Sequence, residues 1–469
     1  MIRPTIAPYL LRSFAFFCLI GLTGGAAAQA PSDAVSASTN GAAQIDLPTV
    51  LRLVGAQNLD VQIARERLNE AQANRQSAIE LFIPSLTPGV TYHRRDGMAQ
   101  AVPAGTVSDT HLQSYAPGAT AVAQVAIGDA IFQSLAAKQL VKASDQALET
   151  QRQDSLLSAV QGYVDLVKAK ALADVVKEAL DISQDYQQQL HEAVGAGVAF
   201  KGDELRVQTQ TEGYQISLRQ ALEQQRIAAV NLSQILHLDS TVELIPQDAD
   251  LVPLLLFPTN ADLQSLVQQA LNFRPELKQS TVLVAAARDA KNGAVYGPLV
   301  PSVGAQVFAG GFGGGHDNAP SNFGDSEDYL VGAGWRIGPG GLFDFGRIKA
   351  SKARLASTQL SETKLKDAVI SQVVAAHTRL QSLSEQIALA QRKLATARET
   401  LRLTRERKQF GVGIVLEDIQ AQQALTQARS EYVTVIAEHN KAQYGLNKAV
   451  GHLPEANRTP PNPHNGAAR

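Results

Sequence analysis

Between Val373 and Leu401 an apolar residue recurs every seven positions, at Val373, Leu380, Ile387, Leu394 and Leu401, with Ala376, Leu383, Ala390 and Ala397 three positions after the first four. Such a repeat is satisfied by a helix that lays a narrow apolar seam against another helix. After Phe410-Gly411-Val412-Gly413 a second seam runs through Ala421, Leu425, Ala428, Tyr432, Val435, His439, Ala442, Leu446 and Ala449, spaced alternately four and three. Two such helices joined by a Gly-rich break predict an antiparallel coiled-coil hairpin, in which small alanine knobs alternate with larger ones and allow close approach. Roughly sixty helical residues span about 90 Å, more than a compact domain needs. The element reads as a strut or the wall of a tube.

The composition agrees with elongated helices. Aromatic residues make up 5% of the 469, and the 45% hydrophobic content leans on alanine, which suits narrow seams better than several broad globular cores. A net charge of -2 gives no argument for nucleic-acid binding.

The N-terminus implies export. Arg3 and Arg12 precede the apolar run Ser13 to Leu22, and Ala28-Gln29-Ala30 supplies a small-residue cleavage pattern, so residues 1–30 read as a signal peptide. Cys18, the one cysteine, lies inside that segment, so the mature chain is expected to have no disulfide and no lipid anchor. Residues 31–46 are small and polar and read as a flexible leader. No later stretch reaches the roughly twenty apolar residues of a membrane helix, so a membrane crossing by this chain would have to use strands.

Along the chain the period switches in the same order twice. A helix is predicted from Leu47 to Ile79, strands at about 84–96 and 115–129, a long helix from Phe132, a break at Gly195-Ala196-Gly197, and a further helix to Leu238. Residues 239–259 read as a Pro-containing connector. Residues 260–451 then repeat the unit, with strands at about 300–312 and 328–338. Val300-Pro301-Ser302-Val303 answers Ile83-Pro84-Ser85-Leu86 after 217 residues, Phe345 answers Phe132 after 213, and Gly411 answers Gly195 after 216. Ordered landmarks at one spacing argue for internal duplication of residues 47–238. The Pro-rich remainder, 452–469, reads as a disordered tail.

Each half offers two strands, and four strands cannot close a barrel, whereas three chains would supply twelve. The expected fold is therefore mainly α with a membrane β-barrel. A duplicated helix-strand-strand-helix-helix unit builds a trimeric 12-stranded barrel continued by a long α-helical coiled-coil tunnel. The competing use of the strands is as small soluble sandwiches between coiled coils.

With these features in place the sequence resembles the outer-membrane efflux protein family, the TolC-like channels of Gram-negative bacteria, over roughly residues 47–451. The resemblance rests on Asn272-Phe273-Arg274-Pro275-Glu276-Leu277, the Pro84-Ser85 and Pro301-Ser302 strand starts and Phe345-Gly346-Arg347-Ile348. It also rests on Phe410-Gly411-Val412-Gly413 with Glu417-Asp418-Ile419, and on the closing Leu446-Asn447-Lys448-Ala449-Val450-Gly451. It implies a homotrimer in outer-membrane lipid, extending into the periplasm. Such a trimer docks with a periplasmic membrane-fusion adaptor and an inner-membrane pump of RND or ABC type. The implied function is a passive exit channel of a tripartite efflux pump or type I secretion system. The alternative is a periplasmic coiled-coil adaptor or scaffold without a pore.

The candidate tunnel entrance or adaptor-contacting tips comprise Gly195, Gly197, Asp203, Gly411, Gly413, Glu417 and Asp418. Glycine permits a sharp reversal whether or not a partner binds. The acids sit at helix starts, where the dipole alone favours them, and an inward carboxylate in a trimer would also become a ring of three. The resemblance places Asp418 near an acidic entrance, while Ala421 stands where the family commonly carries a second inward Asp. Arg402, Arg405, Arg407 and Lys408 form a basic end to the long helix, complementing its dipole. The nine histidines show no metal-ligand spacing; His377 and His439 fall on seam positions and are expected to be packed or hydrogen-bonded. With no nucleophile motif and no phosphate loop, neither an enzyme nor a cofactor is expected.

Overall fold

A computed structural model describes residues 42–83, 85–100, 105–248, 251–258, 261–316, 323–409 and 414–452. The signal-peptide reading and the tail lie outside the described residues, as do Gly411 and Gly413.

The first half comprises β1 (Ala42–Ile45), α1 (Leu47–Gln57), α2 (Leu59–Glu80), β2 (Ser85–Gln100), β3 (Val107–Ala126), α3 (Ile127–Gly195) and α4 (Lys201–Leu236). The second has β4 (Glu243–Pro246), α5 (Leu263–Phe273), α6 (Pro275–Tyr296), β5 (Ser302–His316), β6 (Phe323–Gly334), α7 (Phe345–Gln409) and α8 (Val415–Val450). Helix lengths match in pairs, 11 with 11, 22 with 22, and 36 with 36 residues, and the long helices have 69 and 65. Even the ends correspond: α4 and α8 both stop on a left-handed residue, His237 and Gly451. At about 1.5 Å per residue α3 is roughly 100 Å long.

Periodicity alone predicts one helix over 47–79, but the chain breaks it at Asn58. That side chain accepts from Val61 N at 3.1 Å to start α2, and donates to the Ile235 carbonyl at 3.2 Å. An extended residue with a capping amide costs little there, because its polar atoms are satisfied by α4, almost two hundred residues away. Arg274 makes the matching break in the second half. Its guanidinium forks onto Glu276, with Nε–Oε2 at 3.2 Å and Nη2–Oε1 at 2.9 Å, and donates to Gln372 on α7 at 2.6 Å.

The end of the leader and the start of the connector form regular structure that their composition does not suggest. Residues 42–45 and 243–246 pair as parallel strands, and Ile45 and Leu244 join Val50, Val54, Leu166, Leu232 and Leu236 in a buried core against the middle of α3 and the last turns of α4. A second core, with Leu266, Val369, Val373, Leu380 and Leu446, packs α5 on α7 and α8. Beyond it the seam narrows to Leu394, Ala397, Leu401, Ala421, Leu425 and Ala428, the heptad contact of the α7–α8 hairpin.

At the opposite end of the long helices lies one antiparallel sheet in the order β2-β3-β5-β6, so β2 and β6 are its two edges. At their outer ends the strands run longer than the sequence pattern predicts, while β3 gives way to α3 at Ile127, short of 129, and β6 ends at Gly334, short of 338. Alternation fades where Gly97, Gly311 and Gly313–Gly315 carry no side-chain signal, yet backbone pairing continues through them to Gln100–Val107 and Gly313–Phe323.

Candidate functional site

Two ends of the molecule are candidate sites, the sheet and the hairpin tips. Because side chains alternate along a strand, the registers assign every sheet residue to a face. One face carries Leu86, Val90 and Tyr92 on β2, Tyr115 and Val125 on β3, Val303 and Val307 on β5, and Tyr329 and Val331 on β6, all linked by direct pairings such as Tyr92–Tyr115 and Val307–Tyr329. The Tyr92 and Tyr115 rings stack at 5.1 Å. Leu86, Val90, Tyr329, Val331 and the flanking Trp335 are strongly exposed in the isolated chain. From Leu86 to Tyr92 the band is roughly 20 Å along the strand. The other face mixes Thr87, Thr91, Arg95, Thr120, Gln124, Gln306 and Asp328 with Leu112, Val122, Phe308, Phe312 and Leu330. An apolar band edged by aromatics, backed by a more polar face, is what a strand sheet between lipid and water requires. No helix among the described residues is long and apolar enough to cross a membrane.

At the other end α3 and α4 reverse through residues 196–200. Gly195 is still helical, the last residue of α3, and Gly197 makes the turn at φ +77 while its N–H bonds the Val194 carbonyl at 3.0 Å. Of these two glycines, then, only Gly197 needs to be one. Val198 and Phe200 are 79% and 82% exposed, and Ile414 and Leu416 on the second hairpin are also exposed, so both tips present apolar side chains.

The predicted acids divide. Asp203 pairs with Arg206 one turn on at 3.1 Å. Glu417 lies 3.3 Å from Arg407, across its own hairpin. Asp418 is buried instead of solvated, 8% exposed, with Arg405 Nε 4.0 Å away. The basic end of α7 therefore folds onto its own hairpin, and Arg402 is held within its helix by Glu399 and Glu406. Lys408 lacks a described side chain.

Asp418 opens into a cleft of about 540 Å³ where α3, α4 and α8 meet, lined in part by Asp185, Tyr186, Gln189, Tyr214, Arg405 and Gln422. The first hairpin and the second are thus joined at the tip by polar groups, including Gln423 Nε2 to Gln210 Oε1 at 2.5 Å. Burial, then the charges of Asp418 and Asp203, push the Tyr186 hydroxyl up to about 12. Tyr186 looks like a stripe residue in sequence; only the fold places it beside acids from two hairpins. Glu204 is a second such residue. Buried at the start of α4, it receives His191 at 2.9 Å and Lys201 at 2.7 Å, and those two partners hold its carboxyl below the ordinary range.

The two seam histidines are packed or hydrogen-bonded: His377 Nε2 contacts the Ala261 carbonyl at 3.2 Å and His439 is buried beside Gln443. Among the described residues no three His, Cys, Asp or Glu side chains cluster to hold a metal.

Residues 266–452 match the family model described as outer membrane efflux protein. No curated protein matches the chain by sequence. By structure the chain is similar to the CmeC outer membrane channel of Campylobacter jejuni, with a TM-score of 0.73 and 17% identity over 86% of this chain and 85% of that one. The outer membrane protein VceC of Vibrio cholerae gives 0.71 and 15%, over 87% and 96%. The open-state MtrE outer membrane channel of Neisseria gonorrhoeae gives 0.69 and 15%, over 87% and 89%. At these identities the likeness is one of fold.

Proposed function

We propose that this chain, whose residues 266–452 carry the outer membrane efflux protein domain, is the passive outer-membrane exit channel of a tripartite export machine. Three copies close a twelve-stranded barrel in the outer membrane, and their helices continue it as a tunnel through the periplasm. Energy comes from an inner-membrane pump of RND or ABC type, linked through a periplasmic adaptor. The chain itself supplies a wetted path and does no chemistry on the cargo.

One observation carries this reading: the exposed apolar band lies on a sheet with two open edges, at the end of helices roughly 100 Å long. Open edges and bare apolar side chains are both costly in water, and a closed barrel in lipid removes both costs. A periplasmic scaffold without a pore would leave the band without a use.

At the tips, Val198, Phe200, Ile414 and Leu416 offer the adaptor an apolar footing. Gly195, Gly197, Gly411 and Gly413, with Asp203, Glu417 and Asp418, form the tunnel entrance. The test is a planar-bilayer recording on purified protein, together with extraction from membranes. A heat-modifiable outer-membrane trimer with ion conductance is expected. A soluble periplasmic monomer, or a trimer silent even after the tips are opened by mutation, would overturn the reading.

A further inference from the structure

The sheet is a skewed strip, and its skew limits how one copy can meet the next. Following paired residues across it, Gly334 at the lower end of β6 aligns with Ser302 and Ala126, four residues beyond Val122, the partner of Ser85. Phe323 at the upper end aligns with Gly313, Tyr115 and Tyr92, eight residues short of Gln100. Relative to β2, then, β6 is displaced towards the helices by four residues at one end and eight at the other. In a three-fold ring equivalent residues share one height, so β6 must meet the partner's β2 with a compensating stagger between about four and eight residues. Only even values keep the apolar face continuous.

A stagger of eight sets Glu327 against the partner's Asp96, two like charges, and over twelve strands tilts them by about 54°. Staggers of four and six give about 35° and 46°, near the usual range for barrels. Four sets Asp325 opposite the partner's Arg94 with no like charges opposed; six sets Glu327 there with Tyr329 against the partner's Tyr92, but also sets Asp325 against the partner's Asp96, so the charges favour four. In both, the same basic residue meets the same acidic segment, one step outward from the aromatic edge of the apolar band.

We infer that Arg94 of one copy docks on the Asp325–Glu327 segment of the next copy's β6 and sets the register of the barrel seam. The inference rests on the trimeric channel reading. Within its own chain Arg94 uses Nε to bond Asp96 at 2.7 Å, and Glu327 accepts from Tyr329 at 2.8 Å. Both bonds hold the side chains on the face and at the height where the seam forms. A guanidinium fork suits this role, since it can engage carboxylates at adjacent same-face positions.

The experiment uses full-length protein in outer membranes. Arg94→Glu is expected to abolish the detergent-resistant trimer at temperatures where wild type keeps it, and the swap Arg94→Glu with Asp325→Arg and Glu327→Arg to restore it. Cysteines at 94 and 327, or at 94 and 325, should give covalent trimers on oxidation, while cysteines at 94 and 329 should not. A trimer indifferent to Arg94→Glu, a swap worse than the single change, or crosslinking confined to 94 and 329 would overturn the inference. Each of those results leaves the channel reading intact, whereas a wild-type chain that forms no trimer removes the channel reading first.

Discussion

Lys441 on α8 donates to Oδ1 of Asp165 on α3 at 2.7 Å, and the pair is one rung of a polar ladder that flanks a small apolar cluster of Val160 and Val164 on α3 with Ala437 and Tyr444 on α8. Lys448–Asp154 lies towards the sheet and Arg429–Glu178, at 2.6 Å, towards the tip. Moving up α8 from 429 through 441 to 448, the partners on α3 fall from 178 through 165 to 154, the opposite sense that antiparallel helices require. The hairpins α3–α4 and α7–α8 are zipped internally by larger apolar cores, while the contact between them combines one small apolar cluster with polar rungs, and the rungs are the part that water can replace.

Lys441→Met should therefore loosen one hairpin against the other while leaving each hairpin folded. Asp165 is half exposed, which limits the loss to about 1 kcal/mol. In a planar bilayer the variant should show more frequent open events than wild type. Identical gating would mean that the rungs do not hold the hairpins together.

Acid should weaken the same contact. Burial alone would raise the Glu438 carboxyl, but Lys441, Lys168 and Arg379 hold it below the ordinary range; burial would lower Lys441, but Asp165 and Glu438 raise it. The Glu438 contribution is present above its unfolded value, about 4.3, and is lost as pH falls through the lower folded value. The Lys441 contribution is present below about 10.4 and is lost as pH rises through the raised folded value. The difference in melting temperature between wild type and Glu438→Gln should be constant from about pH 5 to 9 and shrink steadily as pH falls below about 4. A difference that does not shrink in acid would assign the effect to packing.

At the tip, Asp418→Asn should change cation selectivity or cation block of the conducting channel. It should also bring Tyr186 down from about 12, though not to the ordinary tyrosine value, because burial is the larger cause. Tyrosinate absorbance followed to high pH, with Tyr186→Phe as the reference, reads the shift. An unaltered titration together with unaltered block would remove Asp418 from the entrance.

Where sheet passes into helix, Arg347 at the start of α7 forks onto Asp129 at the start of α3, at 2.9 and 3.3 Å. Arg347→Lys keeps the charge and loses the fork, at a cost of about 1–2 kcal/mol. Beside it the chains pack so closely that a Cβ on Gly128 would stand 2.1 Å from the Gly297 carbonyl oxygen. Gly128→Val should accordingly prevent assembly, read as loss of the heat-modifiable species, where Arg347→Lys only lowers its melting temperature.

Local pattern determined much of this protein. A seven-residue repeat can be satisfied only by a long helix with a partner, so Val373, Leu380, Leu394 and Leu401 announce the α7–α8 hairpin before any coordinates exist. Alternation around Leu86, Val90 and Tyr92, followed by the same order of landmarks some 216 residues later, announces the strands and the duplication. The tertiary structure decided what local pattern cannot encode. It split the first helix at Asn58, because Ile235 supplies the distant acceptor. Residues 42–45, at the end of the polar leader, became a strand because Glu243–Pro246 lies beside them. Gly195 was left in the helix and the turn given to Gly197. It also brought Tyr186, a plain stripe residue in sequence, beside Asp418, and Lys441 to Asp165. Those contacts join residues more than two hundred positions apart, where the free energy depends on burial and on the partner's charge and not on the neighbouring sequence.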